Sequence, residues 1–188
     1  MRFVPVLLLS FACAASAAPM KPPVAHTAPK PPIDVLFAQL AKAGSAEEAK
    51  PIEEQIFAYF EQSGSPSVDL LMARGAAALA DGDSDTAKKL FSSVTSIAPN
   101  FPEGWHERAQ LQQQDGDDEA AMLSLQKVVT LNPRQFEAMS ELGDLLEEYG
   151  NKPGALKLYQ RALALDPQLD GAAKHLRALE KDVEGQGI

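Results

Sequence analysis

The sequence predicts an all-α fold, a right-handed α-solenoid of stacked helix-turn-helix repeats, and three observations support this prediction. First, prolines recur at a step of 34 residues, at Pro99, Pro133 and Pro167. Second, the segments that contain them align position by position, with small residues at position 8 and glycine at position 15. Third, bulky apolar residues return at positions 24 and 30, and a period of this length is typical of paired-helix arrays. The three segments are residues 68–101, 102–135 and 136–169.

The small and turn-forming residues mark where each helix pair bends and crosses. Glycine at position 15 can adopt the left-handed conformation that ends a first helix, and Asp or Asn at position 16 suits the N-cap of the second. Small residues at positions 8 and 20 are expected to face each other where the helices cross. The closing proline is expected in the first turn of the following helix, with Asn132 and Asp166 as caps. These small and turn-forming residues are Gly75, Ala109 and Gly143, then Gly82, Gly116 and Gly150, then Asp83, Asp117 and Asn151, and finally Ala87, Ala121 and Ala155.

The segments resemble tetratricopeptide repeats, whose signature is W-x2-L-G-x2-Y, then A-x3-F, a further A and a closing P. The first two segments depart from this signature with arginine at position 7. The resemblance covers residues 68–167 and implies helix pairs that are stable only as a stack, with the first helices lining a concave groove. The third segment matches through Leu142-Gly143, Ala155-x3-Tyr159, Ala162 and Pro167.

The first 17 residues are typical of a secretory signal peptide. Arg2 gives a short positive region, residues 3–14 are apolar, and Ala15-Ser16-Ala17 offers small residues for cleavage. The apolar run is too short to span a membrane as a helix. The alternative is a lipoprotein signal that acts through Cys13, but the three residues before it match the usual lipobox poorly. We therefore predict export to the periplasm, without a lipid anchor or a stable membrane span.

Two further segments separate the signal peptide from the regular repeats. Residues 18–32 are predicted to form a proline-rich tether, because such a composition favours extended polyproline conformation and cannot build a core. Residues 33–65 are predicted to form two helices, and Ser45-x-x-Glu48 has the pattern of a capping box that opens the second. Apolar residues recur at helical spacing in both. We interpret residues 33–65 as a degenerate N-terminal repeat or cap.

One more helix is predicted after the last repeat, over residues 170–183. Ala173, Leu176 and Leu179 form a narrow apolar stripe on it, and Lys174, His175, Arg177, Glu180 and Lys181 keep other positions polar. A terminal capping helix requires this pattern, with one face on the last repeat and the other in water.

Composition and motifs argue against catalysis and against nucleic-acid binding. Residues 33–188 hold 14 Lys and Arg and 26 Asp and Glu, a formal charge of −12 that would repel a phosphate backbone. The sequence has no Gly-rich phosphate loop, no nucleophile elbow and no spaced set of His or Cys ligands. The acidic run from Asp81 to Asp85 lacks the Gly and Glu that an EF-hand loop requires, and helix capping explains it. We predict no enzyme activity, no cofactor and no bound metal.

The family resemblance also implies which residues line the groove, at positions 2, 5, 9, 12 and 13 of each first helix. These positions are largely apolar in the first repeat, amide-rich in the second and strongly acidic in the third. A protein or peptide partner with a basic segment beside an apolar one therefore fits, although the acids could instead only solubilise an exposed face. His106 is either a ligand contact or a solvated groove histidine. The predicted partner-binding groove comprises Asp69, Met72, Glu103, His106, Gln110, Gln113, Glu137, Asp144, Glu147 and Glu148.

The function that the sequence predicts is a non-enzymatic scaffold or adaptor for protein–protein interaction. The segment from Ser63 to Met72 and the overall layout resemble small secreted bacterial tetratricopeptide proteins that help to maintain the cell envelope. That resemblance implies a role in the periplasm. The alternative is an accessory subunit of an envelope enzyme assembly, in cell-wall modification or cytochrome maturation, which co-purification at fixed stoichiometry with an enzyme would reveal.

Overall fold

The computed structural model describes residues 31–185, with side chains up to residue 181. The predicted signal peptide and all but the last two residues of the predicted tether lie outside the described residues. Every regular element in the described range is an α-helix, and none of these helices is long and apolar enough to cross a membrane. The helices are α1 (Ile33–Leu40), α2 (Ala46–Phe60), α3 (Pro66–Ala80), α4 (Ser84–Ile97), α5 (Pro102–Gln114), α6 (Asp118–Leu131), α7 (Phe136–Glu148), α8 (Lys152–Leu165) and α9 (Ala172–Gly185).

Helices α3 to α8 form three consecutive pairs, and each pair packs on the next. The pairs occupy the three 34-residue segments, which confirms the predicted helical solenoid. The glycine at position 15 ends each first helix with a positive φ between 75° and 79°. The side chains of Asp83, Asp117 and Asn151 then accept hydrogen bonds from the backbone N–H three residues later, at 3.0, 3.2 and 3.1 Å. Each second helix is therefore capped as its sequence predicts.

The closing prolines do not open the following helices, in contrast to the sequence-based expectation. Helices α5 and α7 each begin three residues after the proline. Asn132 Oδ1 accepts a hydrogen bond from the backbone N–H of Arg134 at 3.1 Å, and Asp166 Oδ1 accepts one from Gln168 at 3.0 Å. These side chains close a turn around the proline because Asp and Asn readily bond the backbone two residues ahead. They end the preceding helices α6 and α8 and close the turn, and they do not cap the start of the following helices.

The small residue at position 8 lies against the ring at position 24, and this contact was not expected. A Cβ atom added to Gly75 would clash with Phe91 Cε1, and one added to Gly143 would lie 2.8 Å from Tyr159 Cε1. The second repeat has Ala109 at position 8, and its residue at position 24 is a leucine instead of an aromatic residue. The size of the side chain at position 24 therefore matches the space left at position 8.

Helix α9 packs on α8, the last helix of the repeats. Ala172 and Leu179 are buried, whereas Lys174, Arg177 and Glu180 are exposed. Of the predicted stripe, Leu179 is buried and Ala173 and Leu176 are only half-buried, so the buried side of the helix includes Ala172, which the prediction left out.

The opposite end of the stack, at α3, is open. Leu70 occupies position 3 of the first repeat, on α3, and is 60% exposed. The equivalent residues of α5 and α7, Gly104 and Ala138, are buried because a preceding helix pair covers them. The backbones of α2 and α3 approach less closely than those of the other successive helices. Residues 33–60 therefore do not stack on α3 as a preceding repeat would.

Helices α1 and α2 instead form a hairpin that reaches the start of α7. The rings of Phe37 and Phe57 both lie against Phe136, with centroid distances of 6.3 and 5.3 Å. The expected helices are present, and the side chain of Ser45 caps the second by accepting a hydrogen bond from the backbone N–H of Glu48. Their packing partner is the third repeat, which the interpretation as an N-terminal repeat did not anticipate.

Candidate functional site

The predicted groove residues lie on α3, α5 and α7, the first helices of the three repeats. We call the surface formed by positions 2, 5, 9, 12 and 13 of the three repeats, all of which lie on these helices, the first-helix face. Equivalent positions follow one another along this face because consecutive repeats share one architecture. Helix α3 provides Asp69 and Met72, α5 provides Glu103, His106, Gln110 and Gln113, and α7 provides Glu137, Asp144, Glu147 and Glu148.

At the centre of the first-helix face, His106 is buried between two carboxyl groups. Its Nε2 lies 2.8 Å from Glu141 Oε2, and its Nδ1 lies 3.3 Å from Glu103 Oε1. Burial alone would lower the pKa of His106, but the hydrogen bonds and charges of the two glutamates outweigh it and hold that pKa well above its ordinary value. His106 is therefore an imidazolium at neutral pH. At 3% exposure it is neither solvated nor free to contact a ligand.

Two further carboxyl groups, Glu107 and Glu137, lie close enough to feel the charge of His106. Burial raises the pKa of both, the imidazolium opposes this rise, and neighbouring carboxylates reinforce it. Glu107 and Glu141 occupy position 6, which the sequence-based groove omitted. In the sequence, Glu141 lies one repeat period plus one residue after His106, and this spacing is the signal that could have indicated the pair. One buried cation thus stands among several acids, which leaves this part of the face negative.

In the third repeat, two of the predicted groove carboxylates already have partners within the protein. Tyr159 Oη donates a hydrogen bond to Asp144 Oδ1 at 2.6 Å and lies 3.1 Å from Glu147 Oε2. His175 of α9 places its Nδ1 2.9 Å from the same Glu147 oxygen. Burial and the two carboxylates raise the pKa of Tyr159, so it remains a phenol. Glu148, in contrast, is exposed at the end of α7.

Two acidic depressions open at the first-helix face. In the first, of about 240 Å³, Asp69 is engaged locally because its Oδ1 accepts a hydrogen bond from the backbone N–H of Ser63 at 3.1 Å. The second has a volume of about 300 Å³ and is more polar. Three small or flexible apolar residues line the first beside four acids: Met72, Ala73, Ala76, Glu61, Asp69, Glu103 and Glu107. The second is lined by Gln113, Asp118, Glu141, Asp144, Leu145 and Glu148.

The chemistry available at this face is that of recognition. Within residues 31–185, no group of three or more His, Cys, Asp or Glu side chains is arranged to hold a metal ion. The acids can accept hydrogen bonds and attract cations, and the side chains of Met72, Ala73 and Ala76 can contact apolar groups. Such a mixture suits a peptide segment better than a small charged metabolite.

Comparison with known proteins gives matches to the tetratricopeptide repeat, which the sequence resembles. Two family models described as tetratricopeptide repeat match residues 102–135 and 136–169. A tetratricopeptide repeat-containing protein of Rhizobium etli is 29% identical over 87 residues, which cover 46% of this chain and 43% of that protein. The chain therefore spans less than half the length of this curated relative.

Solved structures share the fold at low sequence identity. The first tetratricopeptide domain of Spaghetti, bound to an HSP90 peptide, has a TM-score of 0.57 and 22% identity, covering 62% of this chain and 93% of that one. The Sgt2 tetratricopeptide domain from Aspergillus fumigatus has a TM-score of 0.56 and 24% identity, covering 64% and 81%. The Yersinia enterocolitica secretion chaperone SycD, in complex with a YopD peptide, has a TM-score of 0.57 and 13% identity, covering 63% and 96%. The repeat period, the helix pairing and the two family-model matches together identify residues 102–135 and 136–169 as tetratricopeptide repeats.

Proposed function

We propose that this chain is a non-enzymatic scaffold or adaptor that binds segments of partner proteins along the first-helix face. The repeat is generally an interaction module, and two of the similar solved structures, the Spaghetti domain and SycD, hold peptides. The observation that carries the proposal is the 240 Å³ depression, where carboxyl groups surround an apolar lining. Packing of the helices does not require such a surface, so we attribute it to binding.

The chemistry of the depression defines the partner segment. Glu61 and Glu107 provide negative charge there, while Met72 and Ala76 accept an apolar side chain. The nearby cation His106 is already paired with two glutamates. A partner segment with Lys or Arg beside an apolar residue is therefore complementary in charge and in shape, and complementary potential favours encounter and register.

The proposed site of action is the bacterial periplasm, in maintenance of the cell envelope. Support comes from the first 17 residues, which have the order of a secretory signal: Arg2, an apolar stretch and Ala15-Ser16-Ala17. A fusion of the full chain to an alkaline phosphatase that is active only after export tests this location. We expect phosphatase activity from the fusion and none after deletion of residues 2–17. Equal activity of both fusions would contradict export.

Affinity capture with the full chain from bacterial envelopes tests the binding surface. Glu61→Lys with Glu148→Lys reverses the charge of two exposed acids that line the depressions. We expect about a tenfold loss of captured partner, since the reversed charges repel a basic segment. Glu54→Lys with Glu180→Lys, exposed residues outside both depressions, is the matched control for net charge. Equal capture by both variants would exclude the first-helix face as the partner surface.

A further inference from the structure

Given the proposed function, on which this inference rests, we propose that the 240 Å³ depression of the first-helix face is a lysine pocket. One carboxylate oxygen of Glu103 anchors the ammonium group of a partner's lysine side chain there, in preference to the guanidinium of an arginine. The observation that carries the proposal is Glu103 Oε2, a buried oxygen that has no hydrogen-bond partner within the described part of the chain.

The two oxygens of Glu103 are in different situations. Glu103 lines the depression and is 9% exposed. Its Oε1 lies 3.3 Å from His106 Nδ1, whereas its Oε2 is the unpaired oxygen. The other ring nitrogen of His106 is engaged by Glu141 Oε2 at 2.8 Å. A buried carboxylate oxygen without a hydrogen bond is costly, because water no longer solvates it. A donor that enters the depression from a partner would supply the missing bond.

The other acids of the depression make it suitable for an ammonium group. Glu61 is exposed there and Glu107 is half-buried, while Asp69 already accepts a hydrogen bond from the backbone N–H of Ser63. None of the described residues that line the depression is basic. An ammonium has three N–H donors, so it can bond Glu103 Oε2 and still attract the carboxyl groups of Glu61 and Glu107.

The single unpaired oxygen favours lysine over arginine. A guanidinium is planar and binds a carboxylate best through two parallel hydrogen bonds, one to each oxygen. Glu103 offers one oxygen only, because the other faces His106. An ammonium is a compact charge that needs no second oxygen on the same group. Glu61 can pair with either cation, but an exposed ion pair contributes little to the choice.

The apolar wall of the depression fits the stem of a lysine side chain. It consists of Met72, Ala73 and Ala76 on α3. The two alanines are small, and the flexible side chain of Met72 can adjust to an incoming group. Lysine buries its methylene stem along apolar surface while its ammonium stays among polar groups. The α-amino group of a peptide has no such stem, so a chain terminus matches the depression less well.

Peptides selected on the full chain test this selectivity. Heptapeptides displayed on phage are selected for binding, and the recovered sequences are synthesised with an acetylated N-terminus so that no α-amino group competes. Each peptide is made with lysine, arginine or acetyl-lysine at its basic position, and fluorescence anisotropy gives the Kd. We expect lysine to bind about tenfold more tightly than either replacement, since a hydrogen bond to a charged group is lost. Equal Kd values for lysine and arginine would overturn the lysine pocket and leave the proposed function standing.

Two pairs of variants test whether the lysine binds at this depression. Glu103→Gln removes the anchoring charge, and we expect the preference for lysine to disappear. Glu148→Gln, at an exposed acid of the second depression, is the control and should retain it. Ala76→Leu fills the depression and leaves the carboxyl groups intact, so we expect about a tenfold loss of lysine-peptide binding. Its control is Ala77→Leu, at an exposed neighbour that does not line the depression.

Circular dichroism of each variant shows whether it folds. Should Glu103→Gln not fold, the comparison of Ala76→Leu with Ala77→Leu decides. A lysine preference that survives in the folded variants Glu103→Gln and Ala76→Leu would overturn the proposal. The proposed function fails in a different way, if no selected peptide prefers the full chain to its variant with Glu61→Lys and Glu148→Lys. The lysine pocket would then fail with it.

Discussion

Replacement of Gly143 by alanine tests whether the ring at position 24 determines the residue at position 8. The added Cβ would lie 2.8 Å from Tyr159 Cε1 and 3.1 Å from Cζ, closer than side chains normally approach. The ring has little freedom to move, because Tyr159 Oη bonds Asp144 and Glu147 on the same pair of helices. Either the ring shifts and weakens these bonds, or α7 and α8 separate.

Two opposing effects set the magnitude. Overpacking of a buried contact costs typically about 1–3 kcal/mol. Alanine stabilises a helix interior relative to glycine by about 1 kcal/mol, which offsets part of that cost. The difference between the two effects lowers the expected free energy of unfolding of Gly143→Ala by up to about 2 kcal/mol. For a domain of this size, that corresponds to a fall in Tm of up to roughly 8 °C.

The second repeat shows which second substitution should restore stability, because Ala109 at position 8 is accommodated there with Leu125 at position 24. Gly143→Ala combined with Tyr159→Leu reproduces that pair, so we expect a favourable coupling of about 1–2 kcal/mol in a double-mutant cycle. Urea unfolding followed by circular dichroism measures all four proteins. Ala109→Gly is the control, and we expect a loss of about 1 kcal/mol with no steric relief. A coupling energy of zero would refute the steric argument.

Two further predictions concern the buried titratable groups. His106→Ala leaves carboxylates buried without their cation, so it should lower the free energy of unfolding by about 3–5 kcal/mol in urea titrations at pH 7. Because folding raises the pKa of His106, its contribution is complete below pH ~6.5 and is lost as the pH rises through the folded pKa. The variant should lack this alkaline decline, and an unchanged slope would exclude the imidazolium. Burial and the carboxylates of Asp166 and Glu137 outweigh Lys50 and raise the pKa of Glu53 to about 7. Hairpin protection from hydrogen exchange, corrected for intrinsic rates, should therefore fall from pH 5 to pH 8; Glu53→Gln should flatten this change, and an equal fall in both proteins would contradict it.

The periodic part of the fold could be predicted because its determinants are local. A glycine at position 15 and Asp83, Asp117 or Asn151 after it end one helix and cap the next through bonds within a few residues. Repetition of these signals three times defines the pairs. The turn around each proline was harder to predict, because Asn132 is equally suitable as a helix cap and in an Asx turn. Only the tertiary position of the next helix decides between the two.

The hairpin could not be placed from sequence because amphipathicity shows that a face is buried and not what covers it. Phe37 and Phe57 have the helical spacing of a repeat, but their partner, Phe136, is some 80 to 100 residues away in the sequence. The buried and paired state of His106 could not be predicted from the sequence for a related reason. Its partner Glu141 belongs to another repeat, and burial of the pair depends on how closely the two repeats pack.

Site-specific photo-crosslinking in intact bacteria tests most directly whether the first-helix face binds a partner. A photoreactive phenylalanine analogue is placed at Ala76, an exposed residue of the 240 Å³ depression, or at the exposed Gln160 of α8 as a control. We expect one or a few discrete crosslinked proteins from position 76 and none of these from position 160, with the crosslink lost in the Glu61→Lys background. The same crosslinks from both positions, or none from position 76, would contradict a partner-binding first-helix face.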